Sequence, residues 1–330
     1  MPVADSTFTQ YQKKLNGALE SFEEFFQSQI DYFEPELKEV VAEVLRHHGK
    51  RLRPGFVFAC AEITAKPSER ALRMAAIVEL IHLATLVHDD ILDNAKTRHG
   101  APAHHLLWNA KISVLTGDTL FLRANELAAM EDDVWVGRVV SAAAKATCSG
   151  EIAQGLALPK GALSQAAYER QLLLKTGKLF GLSYALGASL ATADESSRAR
   201  LTSCGENFGV AYQLYDDAVD LWGSEADYKK TLGSDQRQRK WTLPWILLAE
   251  EIGEAAMEPL WGDRAAALKA FEERDIFSSA TEVFESFIAK AFSNIRGLPQ
   301  EKTLAMPLEY LNEKWMGLGE TKCVLKAAVQ

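Results

Sequence analysis

Ile81-His82-Leu83-Ala84-Thr85-Leu86-Val87-His88-Asp89-Asp90-Ile91-Leu92-Asp93 is an apolar segment that closes on three aspartates, and Tyr212-Gln213-Leu214-Tyr215-Asp216-Asp217-Ala218-Val219-Asp220 repeats that ending far downstream. On a helix, positions i and i+4 stack on one face with Cβ atoms roughly 5–6 Å apart, and i+1 sits beside them. Each signature therefore gathers its carboxylates into one patch. The flanks are apolar: Leu86, Val87, Ile91 and Leu92 around the first patch, Leu214, Tyr215, Val219, Leu221 and Trp222 around the second. Such flanks belong to buried helices, which turns the carboxylates inward. Like charges at i,i+4 cost only about 0.2–0.5 kcal/mol on a wet helix, but an unpaired buried carboxylate costs several kcal/mol. A divalent cation is the natural remedy. Carboxylates alone, without a Cys or His cluster, point to a hard ion such as Mg²⁺, usually held by a few carboxylates shared with substrate phosphates.

One such signature alone reads as a solvated acidic helix face. Two copies at identical spacing, both inside apolar segments, argue against that. Neither has the alternating aspartates and glycine of a calcium-binding EF-hand loop.

Outward from these segments the helical period continues, as in the series Ala71, Leu72, Met74, Ala75, Ile77, Val78, Leu80 and Ile81. No extended run of alternating β-branched residues occurs. The pattern predicts an all-α chain with helices over residues 7–34, 35–48, 69–94, 134–157, 164–192 and 196–223. A further helix is predicted to open at Gly117-Asp118 and run to about Met130, and others follow Pro244. A loop is expected at Gly100-Ala101-Pro102 and a charged one over 223–240. The 330 residues allow two domains by length. No Ser/Gly-rich or Pro-rich linker divides them, so one helical domain, 1–330, is expected.

The net charge of −9 argues against a general nucleic-acid binder. It admits a phosphate ligand, because metal ions invert the local sign. Cys60, Cys148, Cys204 and Cys323 are far apart with no C-x-x-C spacing, which indicates neither zinc nor a disulfide framework. Free thiols suit a reducing cytoplasm. The first thirty residues lack a basic start and an apolar core, so no signal peptide is expected. The most apolar stretch, Met74 to Val87, is interrupted by Glu79 and His82 and is too short to span a bilayer. A soluble cytoplasmic protein is expected.

Cations gather at the punctuation points: Lys50, Arg51 and Arg53; Arg98; Lys175; and Lys229, Lys230, Arg237, Arg239 and Lys240. Each cluster alone reads as a solvated loop. Together, near the ends of the acidic helices or their neighbours, they suit a mouth for a polyphosphate, with Lys as point charge and Arg as bidentate clamp.

The order of motifs resembles the trans-isoprenyl diphosphate synthases. The resemblance rests on Gly49-Lys50-Arg51-Leu52-Arg53-Pro54, the first aspartate segment, Arg98, Gly117-Asp118 and Gly150-Glu151-Ile152-Ala153-Gln154. It continues through Lys175-Thr176-Gly177, the second aspartate segment and Lys240-Trp241-Thr242-Leu243-Pro244, covering residues 45–250. It implies a helical bundle around a central cavity, acting as a homodimer on isopentenyl diphosphate and an allylic diphosphate, without a membrane span and with release of a lipid product. Asp89, Asp93 and Asp216 would hold Mg²⁺, roughly three ions per loaded site, with Asp90, Asp217 and Asp220 in support. Arg98, Lys175 and Lys240, with Lys230, would clamp the allylic diphosphate. Lys50, Arg53 and His82, with His99, would bind isopentenyl diphosphate. Thr176 and Gln213 would face the reacting centre. Ala84 and Thr85, both small and just before the motif, imply products of geranylgeranyl length or longer. Val78, Ile81, Phe121 and Asn125 are candidates for the cavity floor.

Four positions depart from the pattern. The usual second arginine after the first motif is His99, the usual Phe before the glutamine is Tyr212, the usual Gly-Lys-Pro is Lys229-Lys230-Thr231, and the usual Gly before the last lysine is Arg239. None removes a metal ligand. His88 is read as a core residue, as are Phe56, Phe58 and Tyr184, and Phe121 reads as core more readily than as cavity wall. Trp241 and Trp245 either cover the site or anchor a helix. A class I terpene cyclase would carry a different second metal motif and no Lys50/Arg53 pocket. A non-catalytic subunit of a heteromeric synthase would be expected to lose motif aspartates, and none is lost.

Overall fold

The computed structural model describes residues 7–46, 49–98, 101–157, 163–191, 194–225 and 232–329, excluding the side chains of Ala157 and 320–329. Helix α1 (Thr7–Ser28) buries Phe8, Tyr11, Leu15, Ala18, Phe22 and Phe26, a stripe at helical spacing. It ends in a 3₁₀ turn, Gln29–Tyr32, and not in a continuous helix to 34. Helices α2 (Lys38–Leu45) and α3 (Leu52–Cys60) follow, then α4 (Glu69–Leu92), whose first turn is capped by Ser68 Oγ accepting from Ala71 N–H at 3.2 Å. Two short antiparallel strands, β1 (Thr97–Arg98) and β2 (Ala101–Pro102), stand where the sequence reads as loop.

Helix α5 (His104–Ala129) begins well before Gly117, with a break at Asn109 (φ 66°). Gly117 is therefore an interior residue and opens no helix. It is small because a Cβ there would lie 2.1 Å from His88 Nε2. After α6 (Val134–Ala157), the predicted helix over 164–192 resolves into α7 (Gln165–Leu172), a π turn (Leu173–Gly177) and α8 (Lys178–Leu190). The second acidic helix is α9 (Glu195–Trp222), capped by Asp194. The rest comprises α10 (Ser234–Arg237), α11 (Leu243–Ile252), α12 (Glu258–Gly262), α13 (Arg264–Glu273), α14 (Ile276–Ile295) and α15 (Glu301–Val329).

One apolar cluster runs from Phe8 on α1 to Leu318 on α15. Helix α4 packs against α1, α3, α5 and α8, and α9 packs against α8 and α14, so α8 contacts both acidic helices. At 24 residues, α4 is long and apolar enough to cross a membrane, which corrects the expectation from the shorter Met74–Val87 stretch; 67% of its most apolar window is buried inside the fold. It is a core helix.

Candidate active site

The acidic patches are built from inside out. Asp90 is 3% exposed, and Arg98 Nε donates to its Oδ1 at 2.8 Å while Nη2 contacts the same oxygen. Asp217 accepts from Tyr168 OH and, at 2.9 Å, from Gln213 Nε2. Asp220 accepts from the Ser234 amide (3.1 Å) and hydroxyl (3.0 Å) and the Asp235 amide (3.0 Å), which folds the loop after α9 back over the patch. Asp89 lines the open space on one side, and Asp93 and Asp216 line it on the other, where Asp217 and Asp220 also reach the wall. Burial raises the Asp89 carboxyl to about 6, against the pull of Lys175. Burial likewise raises Asp217 to about 6. Asp235, missed in the sequence because it belongs to neither motif, is pushed up to about 8 by burial and by Asp217 and Asp220. Among the described residues no three acidic, His or Cys side chains form a ready metal cage. Hard carboxylates at the edge of an open space suit Mg²⁺, which keeps waters and takes phosphate oxygens in place of a full protein cage.

Lys175 and Thr176 sit on the π turn between α7 and α8, a distortion frequent at functional sites. The turn is wedged against α6, where a Cβ on Gly150 would lie 2.6 Å from the Lys175 nitrogen. Lys175 Nζ reaches Glu151 Oε2 at 2.5 Å and Gln154 Oε1 at 2.8 Å. Burial opposes the charge on Lys175, but Glu151, then Asp89 and Asp93, hold its pKa above the ordinary lysine value. Thr176 Oγ1 donates to Gln213 Oε1 at 3.0 Å, and Gln213 donates onward to Asp217. Tyr168, Asp217, Gln213 and Thr176 thus form one hydrogen-bonded relay.

Three cavities meet here. One of about 390 Å³ has Asp89, Lys175 and Thr176 at a polar end and Leu86, Phe121 and Ile152 among its apolar walls. A second, about 580 Å³, is lined by Lys50, Arg53, His82, Asp216 and Lys314. The third, about 310 Å³, is polar and holds Asp93, Arg98, Lys175, Asp216, Asp235 and Lys240. Arg53, His82 and Tyr212 line both the first and the second, and Lys175 and Gln213 line both the first and the third. Burial lowers the Arg53 pKa to about 10; its guanidinium lies 4.3 Å from the Phe180 ring centroid. Burial and the facing Lys314 lower the pKa of Lys50. Lys314, on α15, lies beyond the motif-bearing core and carried no signal in the sequence. Arg51, also in the lining of the second cavity, is neutralised by Glu23 (3.0 Å) and Glu79 (2.7 Å).

The structure separates the two residues read as flanking the growing chain. Thr85 lines the apolar cavity, whereas Ala84 has no exposure and is no part of its wall. Consecutive helical residues point about 100° apart, so only one of the pair faces the space. Phe121 packs against the core and also lines that cavity, in line with its place among the floor candidates, while Phe56, Phe58 and Tyr184 are fully buried. Val78 and Ile81 are core residues, and Asn125 is bonded to the Phe121 carbonyl at 2.9 Å. Trp241 lines the polar cavity and Trp245 is core. His88 Nε2 lies 3.0 Å from the Val114 carbonyl oxygen and its ring also reaches the cavity wall. His99 and Lys230 lie outside the described residues.

A helical bundle that joins two aspartate patches to a cation-lined pocket and an apolar cavity has the layout of an isoprenoid diphosphate synthase. The polyprenyl synthetase family matches residues 34–273. The chain belongs to that family and is a prenyltransferase, a trans-polyprenyl diphosphate synthase. It is 32% identical to heptaprenyl diphosphate synthase component 2 of Geobacillus stearothermophilus over 81% of this chain and 85% of the relative. Its fold is similar to a decaprenyl diphosphate synthase from Rhodobacter capsulatus (TM-score 0.84, 27% identity, 94% of this chain and 98% of that one). It is also similar to a polyprenyl synthase from Caulobacter crescentus CB15 complexed with calcium and isoprenyl diphosphate (TM-score 0.82, 26% identity, 94% and 98%).

Proposed function

We propose that the chain condenses isopentenyl diphosphate with an allylic diphosphate to give all-trans products of geranylgeranyl length or longer. The observation that carries this reading is the meeting of the three cavities: an apolar one for a tail, a cationic one for a second diphosphate, and an acidic one that shares wall residues with both. Asp89, Asp93 and Asp216 would hold Mg²⁺, with Asp90, Asp217 and Asp220 fixed behind them by Arg98, Tyr168 and the Ser234-Asp235 amides. When bound, Mg²⁺ supplies electrostatic relief for the charge that grows on a leaving diphosphate. Arg98, Lys175 and Lys240 add fixed positive charge around the same oxygens, which favours the ionised state over the ground state. Lys50, Arg53 and His82, with Lys314, orient isopentenyl diphosphate so that its double bond meets the allylic carbon. Thr176 and Gln213, held by the relay to Asp217, face that junction, and the departing diphosphate takes the final proton. Exposed Leu115 and Leu122 on α5 and Ile152 and Leu156 on α6 support a homodimer packed through these faces.

The test is an incubation of purified protein with isopentenyl diphosphate, Mg²⁺ and allylic primers of increasing length, with products separated by chain length. Elongation that stops with chelator is expected, and Asp89→Ala should lose at least about 3 kcal/mol of transition-state stabilisation, roughly two decades in rate. Wild-type turnover by Asp89→Ala would refute the metal assignment. The name of the Geobacillus relative favours a second reading, in which the chain is one component of a two-part synthase. No product from the chain alone, with product after adding a second component, would establish that reading.

A further inference from the structure

We propose that the segment 258–264, comprising α12 and the start of α13, is a clamp that positions Asp235 and Lys240 against the acidic patches, with Gln236 and Trp261 as its positioning residues. This rests on the assignment of the polar cavity to Mg²⁺ and diphosphate. Lys240 Nζ stands 3.7 Å from Asp93 and 3.9 Å from Asp235, so its loop ties the first acidic patch to the neighbourhood of the second. Residues 258–264 grip that loop at successive points. Gln236, 5% exposed, donates from Nε2 to the Leu260 carbonyl at 2.8 Å. Trp241 meets Trp261 edge-on, with centroids 5.2 Å apart at 90°, and Trp261 stacks on the buried Trp245 at 4.0 Å. Arg264 Nη2 donates to the Leu221 carbonyl at the end of α9 (2.9 Å). Its Nη1 lies 2.7 Å from where a Cβ on Gly233 (φ 75°) would be, so a larger residue there would push the guanidinium aside.

Arg239 gives this grip a feature of its own. It occupies a left-handed backbone (φ 53°) immediately before Lys240, a conformation that favours glycine. Its guanidinium forms a two-pronged pair with Glu258 on α12 at 2.8 and 3.0 Å. The substitution that strains the loop is therefore the one that ties it to the clamp.

The binding readout is calorimetric titration of inorganic pyrophosphate in the presence of Mg²⁺. Gln236→Ala and Trp261→Leu should weaken binding about tenfold, as expected when charged groups lose their fixed positions. Trp261→Phe, which keeps a ring against Trp241 and Trp245, should stay within about twofold of wild type. In the prenyl transfer assay the same two weakened variants should raise KM for the allylic substrate and leave KM for isopentenyl diphosphate unchanged. The clamp is overturned if binding is unchanged in Gln236→Ala and Trp261→Leu. It is also overturned if the losses track the folded fraction measured by circular dichroism, or if both substrates' KM values move together. Wild-type protein that fails to bind pyrophosphate with Mg²⁺ would instead overturn the assignment of the cavity, and the clamp with it.

Discussion

Gly150→Ala on α6 tests whether the position of the π turn sets the rate. A Cβ at residue 150 would lie 2.6 Å from the Lys175 nitrogen, 2.9 Å from its Cα and 3.0 Å from the Leu174 carbonyl carbon. All three are backbone atoms, so no side-chain rotation relieves the contact. Ordinary contact begins at 3.4 Å, so helix and turn must part by about 0.8 Å. Overpacking of this kind costs about 1–3 kcal/mol, and the better helix propensity of alanine returns roughly 1 kcal/mol. The net loss, about 0–2 kcal/mol, corresponds to a few degrees in Tm. The effect on rate should be larger. The same shift misplaces Lys175 against Asp89 and Thr176 against Gln213, and an error near 1 Å costs on the order of 10²-fold in kcat/KM, about 2.7 kcal/mol. Initial rates of isopentenyl diphosphate incorporation, measured beside Tm by circular dichroism, separate the two effects. Gly155→Ala is the control, because it lies on the same helix with no atom within 4 Å of its added Cβ. Wild-type kcat/KM in Gly150→Ala, or an equal loss in Gly155→Ala, would refute the reasoning.

Thr85→Phe should shorten the product by filling the apolar cavity, whereas Ala84→Phe should chiefly cost about 1–3 kcal/mol of core stability; chromatography of products and thermal melts check both, and unchanged products from Thr85→Phe would remove that residue from the cavity wall. Arg53→Ala should raise KM for isopentenyl diphosphate about tenfold or more, since a hydrogen bond to a charged group is worth about 1.5–3 kcal/mol, and should leave the allylic KM nearly constant; the opposite pattern would exchange the two pockets. Burial lifts the Asp89 and Asp217 carboxyls to about 6, from about 3.9 in the unfolded chain. Between those values the folded chain binds more protons, so this contribution is fully present below about pH 4 and is lost as pH rises through about 6. Added Mg²⁺ should accordingly raise Tm more at pH 7.5 than at pH 5, and equal gains at both would contradict the cause assigned to these shifts.

The helices and the acidic patches were legible in the sequence because their signals are local. A three-to-four-residue period says which face is buried, and an i,i+4 aspartate pair lies on one face whatever the rest of the chain does. What each aspartate faces is not local. Asp90 is paired by Arg98 across β1, Asp217 by Tyr168 from 49 residues away, and Asp220 by amides of a loop that folds back over it. Identical spacing therefore gave no means of telling what partner holds each carboxylate. Ala84 and Thr85 are neighbours of similar size in the sequence, and only the rotation of α4 against its partners sends one into the core and the other to the cavity. Gly117 looked like a helix start because glycine breaks periodicity; the His88 ring that requires it sits on another helix. Lys314 and the clamp at 258–264 carry no motif, since their roles come from where α12, α13 and α15 dock. The sequence determined which segments are helical and which residues carry charge. Long-range packing decided which of those charges meet, because side chains far apart along the chain become neighbours only when the helices close on one another.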